Sequence, residues 1–266
     1  MRIVVVIPAR YGSTRFPGKP LIEVRGASMI RRVAAIGRAA EGVDRVVVAT
    51  DDDRIAEHVR GFGGEAIMTP ESCRNGTERA FAAAQALMKE NGGETPDVVI
   101  NLQGDAILTP PWIVGAVAKT MRENPDLAMA TPATRMDQAT YERFKTAKAA
   151  GDVGGTTVVS RLDGYAMYFS KGLIPFMRNP RTPLPVMQHV GLYAYRFETL
   201  AKLVALPPSP LEEVEGLEQL RALENGIPIK VVETDYRGRS HASIDSPNDV
   251  AVVEKLLDAE GELAPL

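Results

Sequence analysis

Short runs rich in β-branched residues recur along the first half of the chain, and helical patterns lie between them. The runs occupy residues 3–7, 45–50, 97–102 and 127–133. This alternation predicts a parallel sheet, because parallel strands need long crossover connections that are usually helices. The first runs are apolar almost throughout, which indicates strands that helices bury on both faces. We therefore predict an α/β protein with a three-layer α/β/α, Rossmann-like architecture.

From about residue 152 to 195 the pattern changes to shorter apolar runs separated by proline-rich turns. We interpret this part as a small, mainly antiparallel β insertion. Helical stretches at 198–205 and 210–223, a strand at 228–234 and a last helix at 247–257 then return the chain to the α/β layers. The predicted organisation is a main α/β domain of residues 1–150 and 197–266, with a β-rich insertion at 151–196.

Composition and charge limit the classes of function. The net charge of −3 means that an anionic substrate must be held by local cations, so we do not expect nucleic-acid binding. No segment approaches the ~20 apolar residues that cross a bilayer, so we expect no membrane association. The single cysteine, Cys73, cannot form an internal disulfide, and the cytoplasm is the predicted compartment.

The loop IPARYGSTRFPGKP follows the first predicted strand, at the sheet edge where open α/β folds bind ligands. Gly12 and Gly18 allow close backbone approach to an oxyanion. Arg10, Arg15 and Lys19 supply positive charge, so we predict that the loop binds a polyphosphate. It is not a Walker A loop, because five residues separate the glycines and a proline follows the lysine.

Two carboxylates are predicted at the same edge. Asp105 is the last residue of NLQGD, where a predicted strand ends in a glycine and then this aspartate. Asp245 precedes the last helix. From the residues alone, Asp105 could be a turn residue and Asp245 a helix N-cap. We interpret the acidic run at 51–53 as helix capping and GFGGEA at 61–66 as a helix stop, since a dinucleotide fingerprint must follow a strand.

An ordered set of motifs resembles one family across nearly the whole chain. PARYGSTRFPGKPL, VATDDDRI, GTER, INLQGD, GYAMYFSKGLIP, HVGLYAYR, SPLEEVEGLEQLR and DSPNDV occur in that order. They are similar to motifs of the 3-deoxy-manno-octulosonate cytidylyltransferase (CMP-Kdo synthetase) family. The resemblance implies a nucleotide-diphospho-sugar transferase-like fold whose α/β domain binds the nucleotide. The β insertion would contribute to a sugar site and to the contact between the subunits of a homodimer.

The resemblance also implies an activity. A cytidylyltransferase would join CTP to a 3-deoxy-ulosonic acid, with Mg²⁺ as cofactor, for lipopolysaccharide or capsule synthesis. The resemblance implies catalytic roles for Arg10, Lys19, Asp105 and Asp245, and both aspartates would ligate the metal. Substrate-binding roles fall to Arg15, Arg74, Thr77, Arg79, Gln103, His189, Tyr193, Glu218 and Gln219. By themselves, Arg79 could be a solvated helix residue, Tyr193 a core residue and Glu218 a solvent-facing one.

Three positions depart from the family pattern. Ala106 replaces a glutamate, Thr157 a lysine and Gln188 a basic residue. The last two changes would offer a hydroxyl or an amide to the distal end of the sugar. Kdo is the predicted substrate, and a different ulosonate such as 8-amino-Kdo is the alternative. A glycosyltransferase of related architecture and a non-catalytic nucleotide-binding module are rival hypotheses.

Overall fold

A computed structural model describes residues 1–12, 16–179 and 181–266 of the chain. The strands in these residues are β1 (Ile3–Ala9), β2 (Glu23–Val24), β3 (Ala27–Ser28), β4 (Arg45–Thr50), β5 (Ala66–Met68), β6 (Val98–Leu102), β7 (Met129–Arg135), β8 (Thr157–Ser160), β9 (Ala166–Ser170), β10 (Met187–His189), β11 (Leu192–Arg196) and β12 (Ile229–Thr234). The helices are α1 (Met29–Ala39), α2 (Asp53–Gly61), α3 (Gly76–Glu90), α4 (Pro111–Glu123), α5 (Gln138–Ala149), α6 (Phe197–Ala205), α7 (Pro210–Glu215), α8 (Gln219–Glu224) and α9 (Pro247–Glu260).

The first half of the sheet is parallel, as the alternating pattern predicted. β1 lies between β4 and β6 and runs parallel to both, and β5 continues the sheet beyond β4. In β1 the odd-numbered Ile3, Val5 and Ile7 pack into one apolar cluster, whereas Val4 and Val6 pack into the other. A strand whose two faces are both buried cannot alternate apolar with polar residues.

Helices cover both faces of the sheet. Side chains of α1, α2, α4 and α9 belong to the first apolar cluster, and side chains of α3, α6 and α8 belong to the second. The predicted three-layer α/β/α fold is confirmed. Glycines end α2 as predicted, since Gly63 adopts a left-handed conformation with φ of 74° before β5 begins.

The strands of residues 151–196 are antiparallel to their neighbours. β8 pairs with β9 and with β10, and β10 lies against the end of β7. β11 lies between β6 and β7 and is antiparallel to both, so this segment continues the main sheet. β12 pairs in parallel with β7.

The helical region after β11 differs in detail from the prediction. The stretch predicted as one helix over 210–223 is two helices, α7 and α8. Gly216, with φ of 63°, ends α7 because this left-handed conformation interrupts the helical backbone. Among the described residues, no helix is both long and apolar enough to cross a lipid bilayer.

Candidate active site

An open cleft of about 330 Å³ lies at the carboxyl ends of β1 and β6, beside the first turn of α3. This is the edge at which the sequence predicted a ligand site. Among the described residues that line the cleft, four are cationic and two are anionic. They are Arg10, Lys19, Arg74, Arg79, Asp105 and Asp245. The excess of positive charge suits a polyanionic ligand.

Lys19 is held at the centre of this charge cluster. It begins a short 3₁₀ turn after Gly18, whose φ of 71° favours glycine. The Gly18 N–H donates to the carbonyl of Tyr11 at 2.9 Å, which closes the opening loop. Lys19 Nζ lies 2.7 Å from Asp105 Oδ2 and 3.5 Å from Asp245 Oδ1. One cation therefore contacts both carboxylates.

Asp105 is brought to the cleft by a close backbone approach. A Cβ atom on the preceding residue, Gly104, would lie 2.6 Å from the Pro8 carbonyl oxygen at the end of β1. Real Cβ atoms essentially never come this close to a backbone oxygen. Glycine at 104 thus lets the turn after β6 lie against β1, with Asp105 beside Lys19.

Asp245 has a different local setting. The N-cap of α9 is Ser246, in a capping box with Asp249, so the alternative that Asp245 is itself the helix cap is wrong. Ser243 Oγ donates to Asp245 Oδ2 at 3.1 Å, and the Asp245 N–H donates to Asp249 Oδ2 at 2.9 Å. These bonds direct the residue before the helix toward Lys19.

The two carboxylates supply the oxygen donors that a hard divalent cation prefers. Their oxygens already converge on one cationic atom, Lys19 Nζ. In the part of the chain that the structure describes, no group of three or more His, Cys, Asp or Glu side chains could hold a metal. Mg²⁺ at nucleotide sites commonly takes one or two protein carboxylates and completes its shell with phosphate oxygens and water. The donor set fits such an ion.

The other predicted cations are placed as follows. Arg10 is exposed just beyond β1 and lines the cleft. Arg15 lies outside the described residues, so its predicted role stays a prediction. Arg74 also lines the cleft, and its Nε donates to Glu78 Oε1 at 2.7 Å.

Arg79 lines the cleft from the first turns of α3 and is only 3% exposed. It is therefore not a solvated helix residue. Its Nη2 contacts Asp51 Oδ2 at 2.5 Å. The capping interpretation of the acidic run at 51–53 holds for Asp52, the N-cap of α2, whereas Asp51 pairs with Arg79. Sequence reasoning missed Asp51, although it directly follows a strand at the same sheet edge as Asp105.

A second polar group extends from the cleft under α3. Gln103 lines the cleft, and its Nε2 lies 3.5 Å from Asn101 Oδ1. Asn101 Nδ2 lies 3.5 Å from Thr77 Oγ1, and both residues are buried. Thr77 also forms a hydrogen bond with Glu218. Burial raises the pKa of Glu218, and this hydrogen bond opposes the rise. Asn101 was also missed, although a buried asparagine in an apolar strand needs partners.

His189 and Tyr193 join this second group through Tyr193, which is paired with Asn101 between β11 and β6. The single strand predicted for them is two strands, β10 and β11, yet their ring centroids are 5.3 Å apart. The hydroxyl of Thr131 donates to the Leu192 carbonyl at 2.7 Å and lies 2.8 Å from His189 Nε2. Since that hydroxyl has one proton, His189 Nε2 is the donor in their contact.

Gln219 begins α8, with Glu218 as the residue before it, and Gln219 is 5% exposed. Among the described residues, its Nε2 has no hydrogen-bond partner. A buried amide without a partner costs about 1–3 kcal/mol, and Gln219 is not among the described residues that line the cleft.

Two of the departures from the family pattern have structural explanations. The Thr157 hydroxyl donates to the Gly172 carbonyl at 2.7 Å and accepts from the Ile174 N–H at 3.2 Å. The expectation that this hydroxyl is offered to a sugar is therefore wrong. Gln188 Nε2 lies 3.1 Å from His241 Nδ1, so its amide is already engaged.

Burial gives His189 a measurable effect on acid stability. Desolvation lowers the pKa of His189 to about 3 in the folded protein, whereas an unfolded histidine titrates near ~6.5. Between these values the unfolded chain binds a proton that the folded protein does not, so the free energy of unfolding falls as pH falls. Between pH 7 and pH 5, His189 should account for about 2 kcal/mol of the decrease in the free energy of unfolding, and we expect His189→Gln to abolish that part of the decrease. Urea denaturation at both pH values measures this, and an unchanged loss would contradict the burial of a neutral imidazole.

The fold is a three-layer α/β protein with a cleft at one edge of its sheet, and the described lining of that cleft has more cationic than anionic side chains. A family model described as "Cytidylyltransferase" matches residues 4–232. The chain belongs to the cytidylyltransferase family.

Individual proteins show similarity over nearly the full chain. The 3-deoxy-manno-octulosonate cytidylyltransferase of Maricaulis maris (strain MCS10) is 57% identical over 263 residues, which are 99% of this chain and 100% of the relative. The mitochondrial 3-deoxy-manno-octulosonate cytidylyltransferase of Arabidopsis thaliana is 40% identical, over 96% of this chain and 83% of the relative. A solved structure of CMP:2-keto-3-deoxy-manno-octonic acid synthetase complexed with CTP matches with a TM-score of 0.84 and 36% identity, covering 98% of this chain and 100% of that one. The resemblance inferred from the motifs is confirmed.

Proposed function

We propose that this protein converts CTP and Kdo into CMP-Kdo and diphosphate. The observation that carries the proposal is the convergence of Lys19, Asp105 and Asp245 in a cleft with excess positive charge. The relative from Maricaulis maris, 57% identical over its whole length, is a 3-deoxy-manno-octulosonate cytidylyltransferase. A different ulosonate, such as 8-amino-Kdo, is the alternative substrate.

In the proposed reaction the anomeric hydroxyl of the sugar acid attacks the α-phosphorus of CTP in line. A new oxygen–phosphorus bond forms, the bond to the β-phosphate oxygen breaks, and the hydroxyl proton passes to solvent. Arg10 and Lys19 would stabilise the negative charge of the leaving diphosphate, with Arg15 as a third predicted cation. The acceleration would come from positioning and electrostatics, since the reaction needs no covalent enzyme intermediate.

We also propose Mg²⁺ as the cofactor, held by Asp105 and Asp245. When bound, Mg²⁺ would offset negative charge on phosphoryl oxygens. The Lys19 ammonium now lies within 2.7 Å of Asp105 and 3.5 Å of Asp245. Without substrate, the Lys19 ammonium compensates the negative charge of the two carboxylates. When substrate binds, we expect Lys19 to turn from the carboxylates toward the phosphates.

The second polar group is the proposed sugar site. From that group we place Thr77, Gln103, His189, Tyr193 and Glu218 in the sugar site, together with Gln219, which follows Glu218. The buried Nε2 of Gln219 supports this role, because hydroxyl-rich ligands supply acceptors for such donors. His189 would act as a neutral hydrogen-bonding group, since its pKa of about 3 keeps the ring uncharged.

A side-by-side assay of diphosphate release tests the function. With CTP, we expect turnover with Kdo or 8-amino-Kdo and a clear preference in kcat/KM over a nonulosonate such as sialic acid. Preference for the nonulosonate would refute the octulosonate assignment. Tight CTP binding without turnover on any sugar acid would support a non-catalytic module. Release of a nucleoside diphosphate from a preformed nucleotide sugar would support a glycosyltransferase.

We further propose a cytoplasmic homodimer that joins through the β-rich insertion. β9 pairs only with β8 among the described strands, and Met167 in it is 62% exposed. Leu162 and Phe176 of the same segment are also exposed apolar residues, at 109% and 89%. A partner subunit would cover such side chains. Sedimentation of the whole protein at several concentrations measures the state of association.

A further inference from the structure

The guanidinium of Arg79 is buried beside the cleft and depends on two partners from other elements. A buried guanidinium is costly unless its charge and its N–H groups are satisfied. Its Nη2 contacts Asp51 Oδ2 at 2.5 Å, and its Nη1 donates to Thr69 Oγ1 at 2.7 Å. Both acceptors lie at the carboxyl ends of the adjacent parallel strands β4 and β5.

The sheet fixes these two acceptors relative to each other. The Thr69 N–H donates to the Thr50 carbonyl at 2.8 Å, and Thr50 is the residue before Asp51. Asp51 and Thr69 are therefore attached to one rigid sheet edge. A guanidinium has five N–H donors in a rigid fork, and these contacts use two of them. The other three N–H donors of Arg79 are not used in these two contacts, and the Arg79 side chain lines the cleft.

We propose that Asp51 is a positioning residue, which holds Arg79 in the orientation that lets its remaining N–H donors bind an oxygen acceptor of the nucleotide. The inference rests on the proposed function, because it takes CTP as the ligand of the cleft. Asp51 itself does not contact substrate. Its effect passes through the 2.5 Å ion pair with Arg79.

Asp52 offers a matched control for a substitution at Asp51. It is the next residue and carries the same charge, but it caps α2 and pairs with Arg54, Oδ2 to Nη2, at 2.6 Å. Asparagine caps a helix about as well as aspartate. Asp52→Asn therefore makes the same chemical change one residue away, on a side chain that does not contact Arg79.

The test measures CTP binding by calorimetry on the whole protein without sugar acid. Asp51→Asn should raise the Kd for CTP about tenfold or more, the usual scale for a hydrogen bond to a charged group. Steady-state assays should show KM for CTP rising more than kcat falls. Asp52→Asn should leave both values unchanged. In an Arg79→Lys background, Asp51→Asn should add little, because the residue it positions is already altered.

Cys73 gives a second readout. It lines the same cleft and is the only cysteine of the chain. Burial raises the pKa of the Cys73 thiol, so alkylation is followed at mildly alkaline pH. CTP should slow this alkylation, and Asp51→Asn should raise the CTP concentration for half-protection by the same factor as the Kd.

The outcomes separate the two proposals. If the wild type binds no CTP, the proposed function fails. If the wild type binds CTP and a folded Asp51→Asn binds it equally well, Asp51 is a structural partner only and the positioning role is overturned. Should Asp51→Asn fail to fold, Thr69→Val removes the neutral partner alone. It should weaken CTP binding in the same direction by a smaller factor, and unchanged binding would overturn the proposal.

Discussion

Replacing Asp105 by asparagine should lower kcat by on the order of 10²–10³-fold, the scale on which removal of one transition-state stabilising group acts. The amide has the shape of the carboxylate but lacks its charge, so it holds neither Lys19 nor a divalent cation well. The carboxylate is one-third exposed, at 34%. A partly exposed ion pair contributes ~0–1 kcal/mol, so the melting temperature should change little.

The measurement compares diphosphate release and thermal unfolding for the same samples. Asp163→Asn is the control, because Asp163 is 56% exposed and pairs with Arg161 in the turn between β8 and β9. It should retain wild-type turnover. A fully active Asp105→Asn enzyme would remove Asp105 from the catalytic machinery and with it the proposed metal site.

Gly104→Ala should destabilise the protein by about 3 kcal/mol, at the upper end for overpacking, and lower its melting temperature by about 6–12 °C. The reason is steric, since the added Cβ would lie 2.6 Å from the Pro8 carbonyl oxygen. The end of β1 and the turn after β6 would have to separate. Turnover should fall as well, because this separation moves Asp105 away from Lys19.

Gly61→Ala is the matched control. Nothing lies within 4 Å of a Cβ built on Gly61, and the residue is in the last turn of α2. Alanine there should be neutral or slightly stabilising, because it is the better helix former. Equal melting temperatures for the two variants would show that β1 and the turn after β6 do not approach as closely as described.

Local patterns predicted the elements well where packing agrees with them. The run at 45–50 is β4 to the residue, and the last four positions of that strand are buried. α5 was not predicted. None of its side chains is fully buried, so it has no apolar face for a periodic pattern to show. The predicted helix over 210–223 ignored Gly216, a residue that commonly ends helices.

The site was predictable as far as strand ends could be recognised. Arg10, Lys19, Arg79, Gln103 and Asp105 line one cleft because parallel strands deliver their carboxyl ends to one edge. Which side chains pair across that edge depends on tertiary distances, and sequence spacing does not contain them. Hence Asp51 was taken only as part of a helix cap, and the Thr157 hydroxyl was assigned to a sugar although Gly172 accepts its proton.

The position of β11 has a consequence for the order in which the chain can assemble. β6 and β7 end by residue 135, but β11, which hydrogen-bonds to both, begins only at residue 192. β11 joins the two halves of the sheet. During synthesis, its first residue, Leu192, is made about fifty-seven residues after the last residue of β7, Arg135. Chain-closure entropy must be overcome before these distant pairings form, which makes them slow. A nascent chain stalled before β11 should therefore expose the unpaired edges of β6 and β7, where chaperones or other strands could bind.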